Sequence, residues 1–150
     1  TLPGVILVKP SEQRDNNGNC RRDFTYISDI VQGIRLVMQA APERKTGKDG
    51  LPIPPYSLYN IGKGRPDQLL DFINILQQEL IRSKVLPEKY NFENHKELVA
   101  MQPGDVPITY ADISTFEKKF GFKPKIELRE GLRRFVEWYK EFYKIPDANS

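Results

Sequence analysis

The sequence predicts a small α/β domain in which helices pack on short strands. Three observations predict it. Apolar residues recur at helical spacing around Ile30–Met38, Leu69–Ile81 and Leu128–Tyr143. Short β-branched and aromatic runs lie at Phe24–Ile27 and Tyr56–Ile61. The chain has 150 residues, 39% apolar and 29% charged, which is enough for one globular domain with a real core.

The elements follow in order. Residues 1–15 read as a divergent N-terminal segment, with Val5–Val8 as a short buried strand and a polar loop after it. Asn17-Gly18 is a tight-turn pair because both residues tolerate positive φ. Phe24, Tyr26 and Ile27 suit a strand. Ser28 is placed to cap the next helix, and Asp29 sits in its first turn, where the helix dipole favours an anion. Ile30, Ile34 and Val37 share one face of that helix, with Val31 and Met38 beside them. Residues 41–55 hold glycines, four prolines and the cations Arg44, Lys45 and Lys48, which predicts an exposed, mobile loop.

Tyr56–Ile61 predicts a strand ended by Gly62-Lys63-Gly64. A helix is expected over 66–82, with Pro66 at its first position and Leu69, Ile73, Leu76 and Leu80 on one face. Pro87 stops it. Residues 89–101 read as a loop and then a short strand near Leu98–Met101. Pro103 and Pro107 bracket a rigid bend. Asp112 is placed to cap a short helix carrying Ile113, Phe116 and Phe120, with Gly121 as its stop. The last helix spans 128–143, with Leu128, Leu132, Phe135, Tyr139 and Phe142 along one side. The tail from Pro146 is expected to fray. The expected organisation is therefore 1–15, a lobe over 16–145, and a tail over 146–150.

Composition narrows the function. A net charge of +3 is too small to imply a nucleic-acid or membrane partner, and no apolar run approaches the length of a membrane span. The stretch 1–9 lacks a basic start and a small-residue cleavage site, so it does not read as a signal peptide. One cysteine forbids an internal disulfide and suits a reducing compartment, so a cytoplasmic protein is expected. Binding of nucleic acid through Arg44, Lys45 and Lys48 would show as a steep salt dependence and is not favoured.

Few residues offer chemistry. Arg22 stands at a turn-to-strand junction. Read alone, an ion pair with Asp23 or another carboxylate is the plainer account of it, and a two-pronged grip on a diphosphate is the other. Asp105 either satisfies turn amides or accepts from both hydroxyls of a cis-diol. Gly62-Lys63-Gly64 lacks the spacing of a dinucleotide fingerprint or a P-loop and reads as a turn. His95 is the sole histidine, so no catalytic triad or metal set is built around it. Cys20 beside Arg21 and Arg22 reads as a small apolar residue before a reactive thiol. Arg129, Arg133 and Arg134 read as a solvated face, and the aromatics of the last helix as core or interface.

Five segments together resemble a known family. They are Arg22-Asp23-Phe24-Thr25-Tyr26-Ile27 with Asp29-Ile30, Tyr59-Asn60-Ile61-Gly62, Met101-Gln102-Pro103-Gly104-Asp105-Val106-Pro107, Thr109-Tyr110-Ala111-Asp112, and Glu130-Gly131-Leu132 through Trp138-Tyr139. Their order and spacing, over about 16–143, are similar to the C-terminal half of the extended short-chain dehydrogenases/reductases. The likeness is to the NAD-dependent nucleotide-sugar epimerases, and within them to the UDP-glucuronate 4-epimerases. The resemblance implies an isomerase of carbohydrate metabolism. It implies that Arg22 binds the diphosphate of a UDP-sugar, with Arg21 as a possible aid, and that Asp105 binds the ribose. Many relatives carry an arginine where this chain has Gln102. A neutral amide there weakens the case for a phosphate ligand and favours the glucuronate branch.

The same resemblance makes two absences informative. Epimerases of this kind move a hydride to NAD and back, which needs a glycine-rich turn at the pyrophosphate and a helical tyrosine paired with a lysine four residues on. No such glycine pattern occurs in this sequence. Only Tyr59, followed by Lys63, has the tyrosine–lysine spacing, and it lies on a predicted strand. The expectation is a C-terminal substrate-binding lobe without the Rossmann lobe. It would bind the UDP part of a substrate, hold no metal, hold no NAD by itself, and lack activity alone. Its partners would be a UDP-sugar and either a Rossmann lobe or a second copy. The other readings are a non-catalytic nucleotide-sugar-binding or structural module, or the lobe of a UDP-sugar decarboxylase or 4,6-dehydratase.

Overall fold

A computed structural model describes residues 6–8, 18, 20–98 and 106–148. The described part is a mixed α/β arrangement of four helices on short strands, as the sequence predicts. At its centre β2 (Arg21–Arg22) lies between β5 (Asp67–Gln68), antiparallel to it, and β7 (Ile108–Thr109), parallel to it. Arg22 is opposite Asp67 on one side and Thr109 on the other. A second pair, β1 (Ile6–Val8) with β6 (Lys96–Leu98), is parallel. So the short strand expected within 5–8 is present, and its partner begins slightly before the position expected near Leu98.

Three boundaries differ from the sequence reading, each for the same reason. The strand is at Arg21–Arg22 rather than Phe24–Ile27, because the ladder partners lie opposite the arginines. Helix α1 (Ile27–Met38) therefore starts at Ile27, with Tyr26 at its N-cap. Ser28 is inside the first turn and does not cap. Helix α2 (Leu69–Arg82) begins three residues after Pro66, because Asp67–Gln68 is taken by strand β5. In each case long-range pairing overrides local propensity.

The 41–55 loop closes into a short hairpin, β3 (Lys45–Thr46) with β4 (Pro52–Ile53). Its turn is pinned by Gly47 N to Leu51 O at 2.8 Å, and Leu51 N to Asp49 Oδ1 at 3.1 Å. A 3-10 turn at Phe92–His95 precedes β6 and is capped by Asn91, whose side chain accepts from Glu93 N. Helix α3 (Ser114–Phe120) follows Asp112, whose carboxylate accepts from Ser114 N at 3.0 Å, and ends at Gly121 in the left-handed region. Helix α4 (Leu128–Phe142) matches the expected span to one residue.

Packing of α2 on α4 supplies much of the core. Ile73, Val85, Leu86, Leu132 and Val136 are buried there, and Ile113 and Phe116 seal the α3 side. Cys20 is buried too, in keeping with its reading as a small apolar residue. Glu79 of α2 is buried and takes hydrogen bonds from Arg82 at 2.6 Å and Arg129 at 2.9 Å. Arg129 is thus a strut between helices, where the sequence reading made it a solvated face. Arg133 and Arg134 pair with Glu130 on their own helix. The segment after Pro146 carries contacts where fraying was expected: Asp147 pairs with Lys84 and Lys140, and Ala148 N donates to Lys84 O at 2.8 Å.

One helix face lacks cover. Ile27, Val31, Ile34 and Met38 of α1 are exposed, while Asp29 and Gly33 on the other side are buried. Ile61 lies over Gly33, and Tyr59 packs its ring against Phe116 and Phe120. Tyr56 and Leu58 point outward from that same segment, at 73% and 83% exposure. The strand predicted at Tyr56–Ile61 has the alternation of a strand but no ladder partner among the described residues. No helix among the described residues is long and apolar enough to cross a membrane.

Candidate functional site

The central strand delivers Arg22 to an open groove. Arg22 follows from the register of β2 between β5 and β7. Its Nη1 donates to Arg21 O at 2.8 Å and to Pro107 O at 3.3 Å. These two carbonyls hold the guanidinium in place without neutralising it, and among the described residues no carboxylate pairs with it. The ion pair with Asp23 that the residues alone suggested is absent. Arg21 is exposed on the same strand.

Asp23 lines the same groove, but its carboxylate is taken by backbone amides. Its Oδ1 accepts from Lys63 N at 3.1 Å, and its Oδ2 from Gly64 N at 2.9 Å and Ala111 N at 3.2 Å. Thr25 Oγ1 accepts from Lys63 N at 3.0 Å and donates to Asp23 Oδ1 at 3.4 Å. Asn60 Nδ2 closes the rim by donating to Asp112 O at 3.0 Å. The result is a groove of about 480 Å³, lined by Arg22, Asp23 and Thr25 on one side and by residues 60–62 and 109–112 on the others. Arg22 supplies its cationic group.

The Gly62–Gly64 turn behaves as the sequence reading expected. Two of its amides are closed by the Asp23 carboxylate and are not turned to a phosphate. The Lys63 side chain is buried, with its Nζ 2.6 Å from Asp67 and 3.7 Å from Glu127. The Glu127 carboxyl is held below its usual range, chiefly by the hydrogen bonds of Arg65. Lys63 is therefore the buried member of a charge cluster that reaches the surface at Glu127, and Tyr59 is a packing residue; the two form no helical tyrosine–lysine couple. His95 is exposed and stacks on Tyr90 at 5.1 Å. Among the described residues no cluster of histidine, cysteine and carboxylates has the makings of a metal site. A separate cleft of about 330 Å³, between α2, α4 and the start of α1, is walled by Phe24, Tyr26, Phe72, Leu132 and Phe135 and is almost wholly apolar.

Gln102 and Asp105 lie outside the described residues. Pro107, two residues beyond Asp105 in sequence, accepts from both Arg21 N and the Arg22 guanidinium.

The family model described as GDP-mannose 4,6 dehydratase matches residues 6–135 of this chain. The chain belongs to this family. It corresponds to the C-terminal part of the extended short-chain dehydrogenase/reductase epimerases, as the five segments implied. Protein CapI of Staphylococcus aureus is 38% identical over 135 residues, covering 86% of this chain and 37% of that protein. UDP-glucuronate 4-epimerase 4 of Arabidopsis thaliana is 37% identical over 132 residues, covering 85% of this chain and 28% of that protein. The structure of UDP-glucuronic acid 4-epimerase from Bacillus cereus in complex with NAD shares the fold, with a TM-score of 0.60 at 23% identity over 97% of this chain and 36% of that one. The chain thus spans 28–37% of the length of these relatives.

The family fold implies NAD, and the Gly62–Gly64 turn does not fit its pyrophosphate. The turn that most suggests a pyrophosphate cradle, Gly62–Gly64, has its amides bound to Asp23. A second anion at that point would meet a carboxylate. This lobe therefore offers the dinucleotide no seat at that turn.

The sequence reading missed Asp23, Thr25, Asn60 and Ala111 as groove residues. The local sequence offers Asp23 only as a partner for its neighbour Arg22. Its true partners are 40, 41 and 88 residues away, and no local pattern announces them.

Proposed function

We propose that this chain is the substrate-binding lobe of an NAD-dependent, UDP-glucuronate 4-epimerase-like enzyme, over about 16–145, and that it holds the UDP part of the substrate. Arg22 grips the diphosphate, Asp105 accepts from the ribose hydroxyls, Gln102 lies between them in sequence as a neutral neighbour, and Arg21 lends positive charge. The observation that carries this reading is Arg22 itself. A half-buried guanidinium, anchored by one nitrogen on two carbonyls and lacking a carboxylate partner among the described residues, is poised for an anion.

The lobe is inactive by itself, because hydride chemistry needs the glycine-rich turn and the tyrosine–lysine couple of a nucleotide-binding lobe. The uncovered face of α1 and the outward Tyr56 and Leu58 are where that lobe docks, or, without it, a second copy. Such a protein works in the cytoplasm, in carbohydrate metabolism. Calorimetric titration with UDP and with UDP-glucuronate tests the reading. Binding that weakens at least tenfold in Arg22→Ala and Asp105→Ala supports it. No binding by the folded wild-type chain, alone or mixed with a separately made cofactor lobe, leaves a structural module instead.

A further inference from the structure

The two walls of the groove come from stretches far apart in the chain, and one carboxylate joins them. Asp23 takes Lys63 N and Gly64 N from one wall and Ala111 N from the other. The fit is close. A Cβ added at Gly62 would stand 2.9 Å from Asp23 Oδ2 and 3.0 Å from the Ala111 Cβ. A carboxylate is the one side chain that accepts on both sides at once; an asparagine would turn an NH₂ against an amide N–H on one side. Because these amides occupy both carboxylate oxygens, Asp23 does not close on its neighbour Arg22, whose Nη1 is drawn instead to Arg21 O and Pro107 O.

We propose that Asp23 is a positioning residue for Arg22: it ties both groove walls to one carboxylate and so fixes where a guanidinium with no carboxylate partner among the described residues meets a nucleoside diphosphate. The inference rests on the nucleotide reading above for its ligand, but not for its geometry.

Two effects of removing this charge have opposite signs. Deleting a negative charge beside a cationic anion site strengthens anion binding by simple electrostatics. Losing the positioning weakens it. Asp23→Asn therefore decides between them. The expected result is UDP affinity about tenfold weaker, with faster hydrogen exchange at the Lys63, Gly64 and Ala111 amides and a shifted Arg22 side-chain N–H resonance in the ligand-free protein. In an Arg22→Ala background the Asp23→Asn penalty on UDP binding should vanish, since Asp23 acts through Arg22; a general loss of structure would instead add to it. If Asp23→Asn does not fold, Gly62→Ala displaces the same carboxylate and should speed exchange at the same three amides.

Tighter UDP binding in Asp23→Asn, a penalty that persists without Arg22, or unchanged exchange and an unmoved Arg22 resonance in a folded variant would overturn the proposal. Should the wild-type chain not bind UDP at all, the nucleotide reading fails, while the ligand-free exchange and resonance data still decide the role of Asp23.

Discussion

Glu79 of α2 and Arg129 of α4 meet at 2.9 Å, so the two helices that form the core are joined by charge as well as by apolar packing. Burial alone would push the Glu79 carboxyl up, but hydrogen bonds from Arg82 and Arg129 outweigh it and hold the carboxyl below its usual range. A carboxyl held low in the folded chain stabilises above its ordinary pKa of about 4.3 and loses that contribution as pH falls below it. Unfolding by urea should therefore become easier once pH drops below that value. Glu79→Gln should cost about 2 kcal/mol near neutral pH, less than a fully buried pair because both arginines are half-exposed. It should also flatten the acid limb. A steep acid limb that survives in Glu79→Gln would assign the sensitivity to other groups.

Asp29 makes a second tie near the N-terminal end of α4. Its Oδ2 accepts from Lys125 N at 3.0 Å and Ile126 N at 2.9 Å, which docks the loop before α4 onto the first turn of α1. Asp29→Ala leaves two amides without their acceptor and should destabilise by about 2–3 kcal/mol. Asp29→Asn keeps an oxygen acceptor and should cost about 1 kcal/mol. Thermal or urea unfolding of both variants checks the order, and equal losses would mean that the charge, rather than the acceptor, is what matters.

The uncovered stripe of α1 has a consequence in solution. Ile27, Val31, Ile34 and Met38 form an apolar face that should make the isolated chain self-associate as concentration rises. Val31→Glu with Ile34→Lys should return it to a monomer without lowering its melting temperature, because neither side chain is buried. Light scattering across a concentration series reads this directly. A wild-type chain that stays monomeric at high concentration contradicts it.

The legible parts of this fold were those set by nearby residues. Helix α4 follows from the 3.6-residue repeat of Leu128, Leu132 and Tyr139, and α3 from Asp112 before it and Gly121 after it. Strand β2 was shifted because Phe24, Tyr26 and Ile27 have the stronger local preference, whereas the ladder is decided by partners at 67–68 and 108–109. Ser28 lost its capping role for that reason. The hairpin at 45–53 was hidden under a composition that reads as loop. In the site, Arg22 was visible because its segment resembles a family motif. Asp23 was not, because a carboxylate that gathers amides from across the chain leaves no periodic trace. Gln102 and Asp105, named from the same family likeness, lie outside the described residues and remain part of the proposal.

A crystal structure of the chain with UDP bound tests the central claim most directly. The result expected is the Arg22 guanidinium within about 3 Å of diphosphate oxygens, and the Asp105 carboxylate at the same distance from the ribose hydroxyls. UDP seated away from both side chains, or Arg22 and Asp105 facing opposite sides of the molecule, would contradict it.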